Sequence, residues 1–502
     1  MNKKKLIPLT FLAFIILAYL GLNYSSRLNN LIFSKIVNSY DPLLAKISQS
    51  KVSQITKEKV DTSEYWKDPR DLFPIFAYDV PDKTKDLSAS LRIIEKGGIN
   101  ILINGNLSWM PAPYKVKEAF EKLGNSKLKW LAIITNECND DYITANSNDE
   151  TNIQIKNYLK AFNDNYVYGW NLWDEPGRNR KSCTPLNLVP NDDNADINRM
   201  VKQIRSDSVF NKKLDFVNLF PTYWEGTPDV KAYENYIDAF ISSQEFKPRV
   251  LCFDHYPLLK REFGGFRKDY YSNLDIIRKK SIEYNIPFWM IIISSEHLSY
   301  KKPTFEEIRF QVYSALAYGA KGIGYYLYSK SWEEVGYRSW ILENFVDNDT
   351  VVDSLHGPFF VPVKRLNEEI QTLGKTLLTL ESIEIIHSSD YPNNQKDISQ
   401  TLFKRNQSNS LIQEILNNGE TNADPKILIG VFNKKNSSSS KGKYLLIVNK
   451  DVRANSNFTI TLNNSYYIFK FAKETGDSSQ IENKNTISLQ ISPGSGELFY
   501  IE

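Results

Sequence analysis

The chain of 502 residues is short of several things, and each shortage excludes a class of function. It has 3 cysteines, too few for a disulfide framework. It has 4 histidines, scattered along the chain with no ligand-spaced cluster, so a protein-built metal centre is not expected. Net charge is only +3, with neither sign in excess, so nothing global points to a nucleic-acid partner. No Gly-rich phosphate loop follows an early strand, which argues against an open, doubly wound nucleotide-binding sheet. No cofactor is implied.

What is abundant is aromatic: 29 Tyr, 27 Phe and 9 Trp. Most such side chains fill cores, but their faces also suit the C–H faces of sugar rings. The length calls for two or three domains. The N-terminus reads as an address. Lys3, Lys4 and Lys5 precede an apolar run from Leu6 to Leu22, a basic region followed by a hydrophobic one. The run is at the short edge of a membrane span, and no clean small-x-small cleavage site follows it. Residues 1–25 are therefore expected to be a signal anchor or a cleaved signal. The rest of the chain would then lie outside the cytoplasm, tethered to the membrane or secreted. Residues 26–61 read as a stalk or linker helix, interrupted by Pro42.

From Phe73 onward one pattern recurs: a short apolar run, polar or aromatic residues at its end, then a helix-length stretch. The runs begin near Phe73, Ile99, Leu128, Tyr168, Leu214, Val250, Phe288 and Gly322. Near-continuous apolar runs suit parallel strands buried on both faces. Thr304 and Glu307 form a capping box that opens a helix with Phe305, Ile308, Val312 and Leu316 near helical spacing. Eight such units predict an α/β fold, a (β/α)8 TIM barrel over 62–380. Short alternating runs after about Thr379 predict a small antiparallel β-sandwich over 381–502.

A barrel gathers its strand tips on one face, so residues far apart in sequence become neighbours. That face is expected to carry Asp79, Asn104, Asn106, Asn136, Glu137, Asp174, Glu175, Asn218, Tyr223, Trp224, Asp254, His255, Tyr256, Glu296, His297, Tyr328 and Trp332. Glycosidic cleavage needs a proton donor and a second carboxylate, acting as nucleophile or as base for a water. Glu175, at the end of the fourth strand, is the expected donor. Its neighbour Asp174 and aromatic walls are the means of tuning it. Glu296 on the seventh tip and Asp254 on the sixth are the candidates for the second acid. Asp174, Asp79, Asn104, Asn136, Asn218, His255, Tyr256, His297, Tyr328 and Trp332 are candidate substrate contacts. Cys138 and Cys183 both fall on this face, and a disulfide between them would tie the loops framing Glu175. Cys252, inside the sixth strand, reads as a buried small apolar residue.

The triplet Asp174-Glu175-Pro176 at the fourth tip resembles the clan A glycoside hydrolases, which carry Asn-Glu-Pro there. Their Glu is the acid/base, and a second Glu on the seventh strand is the nucleophile. Asp254-His255-Tyr256-Pro257 and the stretch Phe310 to Ala320 are similar to a divergent group related to family 42 β-galactosidase-like enzymes. The resemblance covers about residues 65–380. It implies an exported glycoside hydrolase acting on an oligo- or polysaccharide, with Glu296 as nucleophile and retention of configuration. Asp174 departs from the pattern, because an Asp can accept the usual sugar hydroxyl bond but not donate one. Asp254 as second acid would instead allow inversion. The rival reading is a non-catalytic, glycan-binding barrel that acts as a scaffold in surface-polysaccharide handling.

Overall fold

The computed structural model describes residues 68–78, 87–103, 113–133, 148–177, 192–224, 227, 229–329, 338–342, 357–388, 401–402, 411–418, 426–435 and 442–502. The N-terminal address and stalk lie outside these residues. So do Asp79, Asn104, Asn106, Asn136, Glu137, Cys138, Cys183 and Trp332. Among the described residues no helix is long and apolar enough to cross a membrane.

Eight parallel strands close into a barrel, as expected: β1 (Ile75–Tyr78), β2 (Ile101–Ile103), β3 (Lys129–Ile133), β4 (Val167–Asp174), β5 (Leu214–Leu219), β6 (Leu251–Asp254), β7 (Phe288–Ile293) and, after the short β8 (Ser295–Glu296), β9 (Ile323–Tyr326). β1 pairs with both β2 and β9, which completes the closure. Helices α1 (Leu87–Lys96), α2 (Pro113–Leu123), α3 (Asn148–Ala161), α4 (Asp192–Ser206), α5 (Val230–Ser242), α6 (Tyr270–Glu283) and α7 (Phe305–Tyr318) connect the strands, and α8 (Phe360–Leu377) follows β9.

The strands read as continuous apolar runs because each has two buried faces. One face belongs to the helix-packed core, with Ile75, Leu102, Trp130, Leu251 and Ile292. The other fills the barrel lumen, with Phe76, Ile101, Leu131, Phe216, Cys252, Trp289 and Ile291. Phe76, Phe216 and Trp289 pack with ring centroids 5.4 to 6.1 Å apart and form its floor. A Cβ on Gly324 would sit 2.1 Å from the Phe76 ring, so β9 must be glycine there for the floor to fill. Cys252 is free and buried, as its place in β6 required.

Side chains also clamp strand ends. Asn100 accepts from the Ile75 amide and donates to Phe73 O. Gln311 on α7 does the same for Ile293, accepting from its N–H and donating to its C=O, both at 3.1 Å. These bonds satisfy backbone groups that the ladder leaves unmatched.

The C-terminal residues form an eight-stranded sheet, antiparallel except for the β11–β12 bridge. Its strands are β11 (Leu380–His387), β12 (Thr401–Leu402), β13 (Ile412–Asn417), β14 (Ile427–Lys434), β15 (Lys443–Asn449), β16 (Ser456–Phe471), β17 (Ser478–Ile491) and β18 (Gly496–Ile501). Leu428, Phe432, Leu446, Val448 and Leu498 join the barrel's outer core. The alternate residues Ile427, Ile429, Val431, Leu445, Ile447 and Phe499 meet Phe458, Ile460 and Ile487 in a second core, as a sandwich requires. Contact with α7 is backbone-close. A Cβ on Gly430 would lie 2.1 Å from Ala317 O, and one on Gly496 2.5 Å from Tyr313. Thus α7 is buried on nearly every side. Its start is the capping box read from the sequence, with Glu307 N donating to Thr304 Oγ1 at 3.2 Å and Thr304 N to Glu307 Oε2 at 2.9 Å.

Candidate active site

At the C-terminal mouth the β4 backbone decides which acid points where. In its pairing with β5, Gly169, Asn171 and Asp174 lie beside Leu214, Phe216 and Asn218, with a register shift between Asn171 and Trp173. Leu214 and Phe216 face the lumen. A strand alternates faces, so without the shift Trp173 would face inward and Asp174 outward. The bulge instead sends Trp173 into the outer core and turns Asp174 into the mouth beside Asn218.

Asn218 is the hinge of the polar layer. Its Nδ2 donates to Asp174 Oδ1 at 2.9 Å and to Asp254 Oδ1 at 3.2 Å. Both amide hydrogens are thus committed to carboxylates on adjoining strands. Asp254 is buried, 4% exposed. Burial first, and then the neighbouring Asp174 charge, push its carboxyl up to about 7, against the pull of the Asn218 hydrogen bond. The Oδ1 atoms of Asn218 and of the equally buried Asn171 have no hydrogen-bond partner among the described residues. They are buried acceptors that the described residues leave unsatisfied.

Glu175 follows directly. Its amide continues the ladder by donating to Asn218 O at 2.8 Å, and its backbone then turns left-handed at φ 53°. A non-glycine residue there carries local strain, which structures tend to tolerate at functional positions. The turn is held from outside. Tyr236 OH donates to Pro176 O at 3.0 Å, and Trp224, stacked on Phe220 at 4.2 Å, closes over Gly177. Glu175 itself is half-buried. Its charge and that of Asp254 both act on the Tyr256 phenol, which burial already drives well above its ordinary value. Tyr256 therefore stays protonated.

An aromatic wall rises from β6, β7 and β9. Tyr256 stacks on Tyr326 with centroids 5.3 Å apart, and Tyr300 and His297 meet its edge at 5.5 and 6.4 Å. Tyr78 packs against Tyr326 from β1. Tyr223 accepts from the Tyr256 amide at 3.3 Å and lies edge-on to His255. His297 is buried, and desolvation lowers its pKa to about 4, so it is neutral at neutral pH.

His255 is fully buried, and desolvation holds its pKa below the ordinary value. Its Nε2 lies 3.5 Å from Asp269 Oδ1, a long contact. Asp269 is held well below the usual carboxylate range although burial opposes this. A neutral imidazole contributes no charge to that effect. The firmer partner is Thr222, whose hydroxyl donates to Asp269 Oδ2 at 2.7 Å. His255 is thus a packed residue behind the wall, between Tyr223 and Tyr270.

The structure separates the remaining candidates. Glu296 lies on β8, opposite Arg338 of the two-residue strand β10 (Arg338–Ser339). Its side chain is half-buried and has no hydrogen-bond or ion-pair partner among the described residues. Tyr328, expected as a sugar contact, is instead fully buried in the layer between barrel and helices, with its hydroxyl against Gly97 at the end of α1. The chain turns after β9 and takes Tyr328 out of the mouth. Tyr326, two residues earlier and on the luminal side with Gly324, holds the place expected of it. Sequence reading missed Tyr326 and Tyr300, although the small Gly324 marked the inward parity of β9. Among the described residues no three His, Cys, Asp or Glu side chains come together as a metal site.

No protein-family model matches the chain, and no curated protein matches it. Solved structures it is similar to include a glucosidase from Croceicoccus marinus, at 11% identity over 86% of this chain and 95% of that chain, with a TM-score of 0.39. A GH30 endoxylanase from Clostridium papyrosolvens C71 aligns at 12% identity over 86% of this chain and 96% of that one, with a TM-score of 0.40. A family 51 α-L-arabinofuranosidase from Bifidobacterium longum aligns at 9% identity over 86% and 96%, with a TM-score of 0.39. A likeness at this level carries no activity, substrate or residue role over to this chain. The comparisons do not place the chain in family 42.

Proposed function

We propose that this protein is an exported glycoside hydrolase that cleaves O-glycosidic bonds of an oligo- or polysaccharide at the mouth of its barrel. The observation that carries this reading is the hydrogen-bonded Asp174–Asn218–Asp254 layer at the barrel mouth, to whose Asn218 the Glu175 amide is also bonded. Cleavage needs one carboxyl that gives a proton to the leaving oxygen and a second that attacks the anomeric carbon or activates a water. Glu175, at the rim and half-buried, is the proton donor. Asp254 is the second carboxylate, because it is luminal, buried and tuned toward neutrality, where a base works best. Asp174 holds Asn218 in place and keeps the Asp254 carboxyl high.

This assignment favours Asp254 over Glu296, since Glu296 has no polar contact with the acid layer among the described residues. The choice between retention and inversion then rests on whether Asp254 attacks the anomeric carbon itself or activates a water there, on the face opposite the leaving oxygen in either case. The Tyr256–Tyr326 wall suits a pyranose face. The test is hydrolysis of a polysaccharide panel by the full chain, with the first-formed anomer read by NMR. Release of products by the native chain but not by Glu175→Gln supports the reading. Tight glycan binding with no bond cleaved by the native chain would replace it with the scaffold reading.

A further inference from the structure

The loop between β6 and α6 brings two cations to the aromatic wall. Arg267 is pinned. Its Nε donates to Tyr256 O at 3.2 Å, and its Cζ lies 3.6 Å from the centroid of the Tyr223 ring and 5.9 Å from that of Tyr300. Stacking and the Nε bond fix the plane of the guanidinium and leave its two Nη groups without a hydrogen-bond or ion-pair partner among the described residues. Lys260 is tied by its backbone N–H to Ser299 O at 2.9 Å, and its ammonium also has no such partner among them. It is close enough for its charge to act on His297.

The acids of the same loop do not answer these cations. Asp269 is taken by Thr222 and lies against His255. Glu262 is exposed and pairs with neither cation among the described residues. The neighbouring cations of the β7 side, by contrast, are engaged. Lys301 pairs with Glu307, and Lys302 lies over the Trp340 ring at 3.1 Å. Arg261 and Lys268 of the same loop are likewise unpaired among the described residues but exposed, so Arg267 and Lys260 are its half-buried cations with no protein anion to balance them. A planar fork fixed on an aromatic face is suited to bidentate capture of a carboxylate or a sulfate.

We propose that Arg267 and Lys260 form an anion-recognising subsite beside the Tyr256–Tyr300 wall, so that the sugar bound there carries a carboxylate or a sulfate ester. This rests on the glycosidase reading only for the location of the sugar. The anion contact itself is measured by binding, independently of cleavage.

The experiment uses the full chain as Glu175→Gln, so that ligands are not consumed, and paired probes that differ only in charge. The pairs are oligogalacturonate with its methyl ester, and dextran sulfate with dextran. The first pair reports a carboxylate and the second a sulfate. The expected result is that the anionic member of at least one pair binds roughly 10- to 100-fold more tightly than its neutral partner, with the preference shrinking as salt rises. Arg267→Gln and Lys260→Gln should each erode that preference and the double variant abolish it. Arg267→Lys, which keeps the charge over Tyr223 but loses the fork, should retain only part of it. Equal binding of charged and neutral members, no binding of either anionic probe, or a preference that survives in the double variant with an unchanged melting temperature would overturn the proposal. Cleavage of neutral glycans by the native chain together with any of those results would sink the subsite and leave the hydrolase. Selective anion binding with no cleavage would do the reverse.

Discussion

Replacing Asp254 by Asn changes one charge and almost no volume, and its effect on stability should depend on pH in a calculable way. Asp254 has a folded-state pKa of about 7, against an ordinary value of 3.8, because burial and the Asp174 charge both disfavour its ionised form. In the unfolded chain the carboxyl loses its proton near the ordinary value. Between about pH 4 and pH 7 the folded state therefore binds more protons than the unfolded state, and stability falls as pH rises. A raised carboxyl contributes its stability below the unfolded pKa and has lost it above the folded one. At about 1.4 kcal/mol per pKa unit the loss is on the order of 4 kcal/mol by about pH 8. Asn at this position keeps an acceptor for Asn218 and has no charge to bury. Relative to the native chain, Asp254→Asn should thus gain on the order of 4 kcal/mol between about pH 4 and pH 8, whatever constant offset the substitution brings. Equilibrium denaturation of both proteins across that range reads the difference directly. A difference that stays flat with pH, or that moves against the variant as pH rises, would refute the coupled, buried state of this acid.

Three further outcomes follow from the scaffold and the site. Gln311→Leu removes both bonds to Ile293 and leaves a buried N–H and C=O unmatched at the end of β7, at a cost of about 1–3 kcal/mol per group in denaturant titrations. Gly430→Ala drives a methyl against Ala317 O, so the melting temperature should fall with a stability loss of about 1–3 kcal/mol while the barrel strands keep their circular dichroism. Tyr326→Ala should weaken glycan binding by removing the stacked face beneath Tyr256, whereas Tyr328→Phe should leave binding unchanged because that hydroxyl is buried away from the mouth, as isothermal titration would report.

The barrel was legible because parallel strands buried on two faces leave unbroken apolar runs. All eight runs coincide with strands. The capping box at Thr304 was legible because its two bonds join residues three apart. What sequence could not supply was parity. Whether Asp174 or Trp173 faces the lumen depends on a register shift between β4 and β5, which is a property of the pairing and not of either strand. The same limitation exchanged Tyr328 for Tyr326, since a turn after β9 carries the later tyrosine outward. Arg267 and Lys260 lacked any periodic signal, because they sit in an irregular loop whose meaning comes from Tyr223 and Tyr300. The C-terminal sheet read as short strands from Ile427 on, whereas β11, β12 and β13 were not read as strands and β16 is one long strand rather than two. That its barrel-facing side makes α7 nearly all-round core is a consequence of packing, hidden in glycines such as Gly430.

The assignment of the two working acids is tested most directly by kcat/KM for three isosteric variants, Glu175→Gln, Asp254→Asn and Glu296→Gln, on one cleaved glycan. Glu175→Gln and Asp254→Asn should each lose roughly 10²–10⁴-fold, the usual range for a group that moves a proton in the transition state, while Glu296→Gln stays within a few-fold of the native chain. A collapse in Glu296→Gln with activity retained in Asp254→Asn would contradict the account and move the second carboxylate to the seventh strand tip.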